Sequence, residues 1–175
     1  MSQKGLIDLY YGDESAVNME PCIPYGWQLP DEDVFMPSSK GGRLSIFGLL
    51  TRDNKLLFKT TTESIKSDFI IHELESLACS IHKPTVVVLD NAKVHKSAKF
   101  KAHLETWENR GLHIFYLPTY SPHLNIIETL WRKLKYEWLE ATDYFQEDSL
   151  HYAVTQILQA FGDSLHINFS DFGLS

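Results

Sequence analysis

Three acidic side chains, Asp13, Asp90 and Glu128, stand where phosphoryl chemistry could use them. Asp90 ends the apolar run Thr85-Val-Val-Val-Leu, which reads as a strand buried on both faces. Ligands gather beyond the carboxyl ends of such strands in open α/β sheets. Asp13 follows a first apolar run, Leu6 to Gly12. Glu128 opens a helix whose apolar stripe is Leu124, Ile127, Trp131, Leu134 and Trp138. At ~100° per residue it falls roughly 80° from the centre of that stripe, at its border. Carboxylates brought together repel, and at least one takes up a proton unless a cation intervenes. Hard oxygen donors without His or Cys at metal spacing select magnesium or manganese over zinc. Two such ions suit in-line attack at phosphorus.

Each acid also has a structural reading. Gly-Asp-Glu-Ser at 12 to 15 is good turn chemistry. Asp8 and Glu14 compete with Asp13 for the same role, although Asp8 lies further from the carboxyl end. Asp90 and Asn91 can cap the segment that follows. Asn125 and Glu128 match an Asn-x-x-Glu capping box.

The elements that would position these acids follow in the order β-β-β-α-β-α-β-α-α. After the first strand, residues 16 to 42 are irregular, with four prolines and the Gly41-Gly42 pair. Arg43 to Leu50 and Lys55 to Thr62 read as a hairpin across the Thr51 to Asn54 turn. Ser64 to His82 carries helical spacing and is stopped by Pro84. Val86 to Leu89 and Leu112 to Leu117 are later strands, and Lys96 to Asn109 is a helix closed by Gly111. Asn125 to Leu139 and Glu147 to Phe161 complete the set. The expected architecture is a mixed five-stranded α/β sheet, three antiparallel strands and then two parallel ones, flanked by helices. If the first and fourth strands are neighbours, Asp13 and Asp90 meet.

Length and composition agree with one domain spanning residues 1–175, with 43% hydrophobic residues and no run near the ~18 to 20 apolar residues of a membrane span. Cys22 and Cys79 lack paired spacing and suit reduced, buried thiols in a cytosol. The net charge of −7 argues against nucleic acid until its distribution is considered. Residues 90 to 135 hold eight Lys/Arg against four Asp/Glu, and the rest hold eight against nineteen. Lys93, Lys96, Lys99 and Lys101 form one basic cluster, and Arg132, Lys133 and Lys135 another. They read either as solvated helix faces or as a phosphate-backbone track beside the acids.

Asp13-Glu-Ser, then Leu89-Asp-Asn-Ala-x-x-His, then Tyr120-Ser-Pro-x-Leu-Asn-x-x-Glu-x-x-Trp, resemble the DDE transposases of the mariner-type superfamily, in particular its bacterial insertion-sequence branch. The resemblance runs from about Leu6 to Trp138. It implies a ribonuclease H-like fold and DNA cleavage and strand transfer with two magnesium ions, manganese substituting. It maps the triad onto Asp13, Asp90 and Glu128, with 76 residues between the first pair and 37 between the second. Implied partners are double-stranded DNA, as transposon ends and target, and a second copy in a homodimer; the implied setting is the bacterial cytoplasm at the nucleoid. Lys93, His95, Lys96, Arg132 and Lys133 are the candidate DNA contacts, His95 also standing as a group behind the ligands or a surface histidine at a helix start. Trp27, Trp131 and Trp138 read as packing residues.

The sequence departs from the family pattern twice. Ile126 stands where the family usually has proline, a small change at a helix start. The chain also begins almost at its first strand, where family members carry helix-turn-helix modules, so a separate DNA-recognising segment is expected as partner. Two rival readings are a magnesium-dependent phosphohydrolase of small esters, and an inactive or regulatory domain that binds DNA or a transposase subunit.

Overall fold

The computed structural model describes residues 5–21, 41–119 and 121–169, apart from the side chain of Pro122. Cys22, Trp27 and Tyr120 lie outside the described residues. Five strands, β1 (Asp8–Asn18), β2 (Arg43–Leu50), β3 (Leu56–Thr61), β4 (Thr85–Leu89) and β5 (Leu112–Tyr116), form one sheet in the order β3-β2-β1-β4-β5. The first three are antiparallel neighbours, and β1-β4 and β4-β5 are parallel, as the element order implied.

Helices cover both faces. On one lie α1 (Ser67–Ser80), α2 (Ala98–Lys101) and α3 (Leu104–Asn109), packed through Ile70, Leu74, Phe100 and Trp107 onto Tyr10, Phe47, Val87 and Leu89. On the other lie α4 (Ile127–Lys133) and α5 (Glu147–Ala160), packed through Ile127, Leu130, Trp131 and Val154 onto Leu44, Ile46 and Leu50. The period-2 alternation of a strand explains why Ile46 and Phe47, adjacent in β2, enter different cores. Among the described residues no helix is long and apolar enough to cross a membrane.

Four local expectations change. The first strand does not stop at Gly12: an antiparallel ladder from Tyr11↔Leu50 to Asn18↔Arg43 draws Asp13, Glu14 and Ser15 into β1, overriding their turn chemistry. The helix expected over 96 to 109 is a 3₁₀ turn at Lys93–Lys96, then α2, begun by the Ser97 hydroxyl accepting from Phe100 N–H, then α3. The long helix expected from Asn125 begins at Ile127 and relaxes into a π turn over Leu134–Trp138. Cys79 is exposed on α1, because the buried stripe of that helix runs through Leu74, Leu77 and Ala78.

Candidate active site

β1 and β4 run parallel with Tyr11 opposite Val88. Two residues beyond this last pair come Asp13, still within β1, and Asp90, just past the end of β4, close enough for its charge to act on the Asp13 carboxyl. β4 ends at Leu89 while β1 continues to Asn18, paired there only with β2. One edge of β1 is thus left open beyond Asp90, and a cleft of about 420 Å³ forms there. Asp13, Glu14, Glu128, Trp131, Lys135 and Arg43 are among its lining residues.

α4 lies over this edge because two side chains tie it to β1. Asn125 Nδ2 donates to the carbonyl of Gly12 at 3.1 Å, and Trp131 Nε1 donates to Asp13 Oδ2 at 3.1 Å. Glu128 sits midway between these ties, three residues from each. The side chain of Asn125 therefore does not close the expected capping box; it serves the sheet, and the helix start carries no side-chain cap. Glu128 is exposed, a correction to the border position read from the stripe: it lines the cleft beside Asp13.

The electrostatics separate the two aspartates. Burial, the charge of Glu128 and then that of Glu14 push the Asp13 carboxyl up to about 8, with Asp90 adding to the effect. Asp90 is held below the usual carboxylate range, chiefly by the hydrogen bond from His95, with help from the Ala92 N–H and the charge of Lys96, against the cost of its burial. An acid site with one carboxyl forced to keep its proton and another kept ionised is poised for a cation that discharges both. Three carboxylates offer the hard oxygen donors that magnesium or manganese takes. Among the described residues no three His, Cys, Asp or Glu side chains are gathered around one point closely enough to chelate a single ion.

His95 is wholly buried, which overturns the reading of it as a surface histidine at a helix start. Its Nδ1 lies 2.8 Å from Asp90 Oδ1 and its Nε2 lies 3.1 Å from Glu14 Oε1. Burial alone would favour the neutral ring, but the hydrogen bonds to Asp90 and Glu14 prevail and lift it to about 9. Lys93 and Lys96 are exposed on the turn after Asp90, Lys96 lying 5.5 Å from the centre of the Tyr116 ring. Arg132 is exposed beside Glu128 in a second cleft with His123 and Tyr136. Lys133 is turned aside, paired with Glu137 and lying over Trp138. Asp8, the early rival of Asp13, pairs with Lys83 at 3.0 Å at the far end of β1. Glu14, the other rival, faces His95.

Sequence reading missed Asn125, Trp131 and Arg43 as parts of this site, and placed Lys135 only within a basic cluster near the acids. Lys135 was legible in principle, since it lies seven residues after Glu128 and so on the same helical face. Arg43 was not, because its place depends on the pairing with Asn18.

The family model described as "DDE superfamily endonuclease" matches residues 8–151. The chain belongs to this family. It is 28% identical over 130 residues to an insertion element IS630 uncharacterized 39 kDa protein of Shigella sonnei, a match that covers 72% of this chain and 37% of that protein. The ribonuclease H-like fold is shared with solved structures. Mos1 transposase in a paired-end complex with its left transposon end matches 91% of the chain with a TM-score of 0.59 at 13% identity. A chain of the simian T-cell lymphotropic virus intasome matches 93% with a TM-score of 0.57 at 14% identity. The chain spans 37% of the length of the Shigella relative and 55% of the Mos1 chain.

Proposed function

We propose that this DDE endonuclease domain cuts DNA and joins the freed strand to target DNA, as the catalytic part of an insertion-sequence transposase. What supports this reading is the carboxylate cluster where β4 leaves the sheet: Asp13 and Asp90 follow the last β1-β4 pair, the Asn125 and Trp131 ties hold the turn of Glu128 against β1, and the charges of Glu128 and Asp90 both raise the Asp13 carboxyl.

Asp13, Asp90 and Glu128 would hold two divalent ions, magnesium or, in substitution, manganese. Magnesium there supplies Lewis-acid stabilisation of the phosphoryl oxygens and activation of the attacking oxygen. In the first step a water oxygen bonds to phosphorus and the 3′-oxygen of the cut strand leaves with a proton. In the second that 3′-hydroxyl bonds to a target phosphorus and a target 3′-oxygen leaves. The exposed Lys93, Lys96 and Arg132 hold the backbone phosphates on either side of the acids and position them for in-line attack. Mos1 is seen in paired-end complexes with transposon DNA. We assign a similar partnership to this chain: duplex DNA and a second copy.

Manganese binding, followed by spin resonance on the wild type and on Asp13→Asn, Asp90→Asn and Glu128→Gln, tests the reading. Loss of binding in each folded variant supports one site, and a metal-dependent DNA-cleavage assay then follows. Unchanged binding in all three refutes the assignment. Salt-dependent DNA binding without metal-dependent cleavage would favour the regulatory reading.

A further inference from the structure

The ladder between β1 and β4 ends at Tyr11 and Val88. Beyond it no backbone pairing keeps Asp90 beside Asp13, and a different connection spans the gap. Glu14 follows Asp13 in β1, so strand alternation sends it to the opposite face. There its Oε1 lies 3.1 Å from His95 Nε2, and Nδ1 of the same ring lies 2.8 Å from Asp90 Oδ1. The imidazole therefore bridges the two carboxylates, one at each ring nitrogen. The backbone that carries the ring is held as well. His95 N–H donates to the Ala92 carbonyl at 3.1 Å, and Tyr116 Oη donates to the His95 carbonyl at 2.7 Å. Asp90 Oδ1 receives the imidazole and the Ala92 N–H at 2.9 Å. These bonds engage one carboxylate oxygen and leave Oδ2 as the one to present.

We propose that Glu14 is a positioning residue of the active site, acting through His95 to fix which oxygen Asp90 presents and to hold it beside Asp13. This role rests on the reading that Asp13, Asp90 and Glu128 hold divalent metal. It assigns Glu14, which lines the same cleft, a task distinct from direct coordination. Groups that orient metal-ligating side chains by hydrogen bonds typically change metal affinity about 10- to 100-fold when removed.

The test uses the full chain, manganese as the probe, and spin resonance as the readout. Glu14→Ala is expected to weaken binding about 10- to 100-fold. Glu14→Gln should stay within about threefold of wild type, because the amide oxygen still accepts from Nε2–H. A folded Glu14→Ala protein that binds manganese as wild type does, while Asp13→Asn loses binding, overturns the role of Glu14 and leaves the metal site standing. Equal losses in Glu14→Ala and Glu14→Gln also overturn it, since charge at Glu14 rather than its hydrogen bond would then matter. If Asp13→Asn binds as tightly as wild type, or wild type binds nothing at millimolar manganese, the metal-site reading fails and the proposal fails with it. A second readout is nitrogen-resolved NMR of the His95 ring in the metal-free protein. The Nε2 resonance is expected to move in Glu14→Ala, which removes its hydrogen-bond partner, and to stay near its wild-type position in Glu14→Gln; an unchanged spectrum in Glu14→Ala overturns the proposal.

Discussion

Gly48 sets how closely α4 approaches the sheet, and Gly48→Ala should disturb both stability and the site. Gly48 pairs with Asp13 in the β1-β2 ladder. A Cβ there would lie 2.8 Å from Trp131 Cη2, 3.0 Å from Trp131 Cζ2 and 3.0 Å from Ile127 Cδ1. Carbon atoms pack best at ~3.5 to 4.0 Å, so the indole has to retreat by roughly 0.5 to 1 Å. That indole holds Asp13 Oδ2, and Glu128 lies one turn before it. Overpacking of this kind costs about 1 to 3 kcal/mol. At about 2 to 4 °C per kcal/mol for a domain of this size, Tm should fall by roughly 2 to 12 °C. Manganese affinity should fall with it, because the retreat moves Glu128 away from Asp13. The discriminating variant is Gly48→Ala combined with Trp131→Phe, since phenylalanine lacks the two indole carbons that clash. The double variant should be less destabilised than the sum of the singles by about 1 kcal/mol or more, measured by denaturant unfolding. Additivity within about 0.5 kcal/mol, or a Gly48→Ala melt within a degree of wild type, would refute the close-approach argument.

Asn125→Ala removes the donor to the buried Gly12 carbonyl and should cost about 1 to 3 kcal/mol by thermal or urea unfolding, with weaker manganese binding because α4 loses one of its two ties to β1. Asp13 is raised from 3.8 to about 8, so the stability it contributes is present below pH 4 and is lost as pH rises through 8. Metal-free Asp13→Asn should therefore melt above wild type at pH 8.5, with the gap closing towards pH 5, as calorimetry would show. Metal must displace the Asp13 proton at neutral pH, so manganese binding should release about one proton at pH 6.5, seen as a dependence of the binding heat on buffer ionisation enthalpy. Lys96→Gln should weaken duplex DNA binding without altering sequence preference and reduce the salt slope by about 1, read by fluorescence anisotropy at several ionic strengths.

The sheet was legible because its signals are strong and local. Thr85 to Leu89 and Arg43 to Leu50 are short β-branched or aliphatic runs, and both became buried strands. The order of the elements then left few ways to arrange them. The three acids were legible by type and spacing, but their supports were not. Asn125 matched a helix cap by its local sequence, and only the arrival of the Gly12 carbonyl, 113 residues away, outbids that role. Trp131 reads as core from its stripe, and it is core; the direction of its indole N–H is set by β1, which no local pattern reveals. The split of the 96 to 109 helix and the π turn after α4 also lie below the resolution of apolar periodicity.

The Asp13-Glu14 pair shows why one acid could not simply be chosen over the other. Adjacent residues on a strand point to opposite faces, so two consecutive acids cannot both enter one cluster on the same face. While β1 was taken to end at Gly12, that constraint did not apply, and Glu14 competed with Asp13 for one role. Once the ladder to β2 carries β1 through Asn18, the two side chains leave the strand in opposite directions and take different partners, although both line the cleft. Asp13 turns to Trp131 and Glu128, and Glu14 turns to His95. The parallel partner of β1 stops at Leu89, so Asp90, one residue on, can be reached from both faces, beside Asp13 on one and through His95 on the other. The place where β4 leaves the sheet thus both opens the cleft and creates the need for a brace.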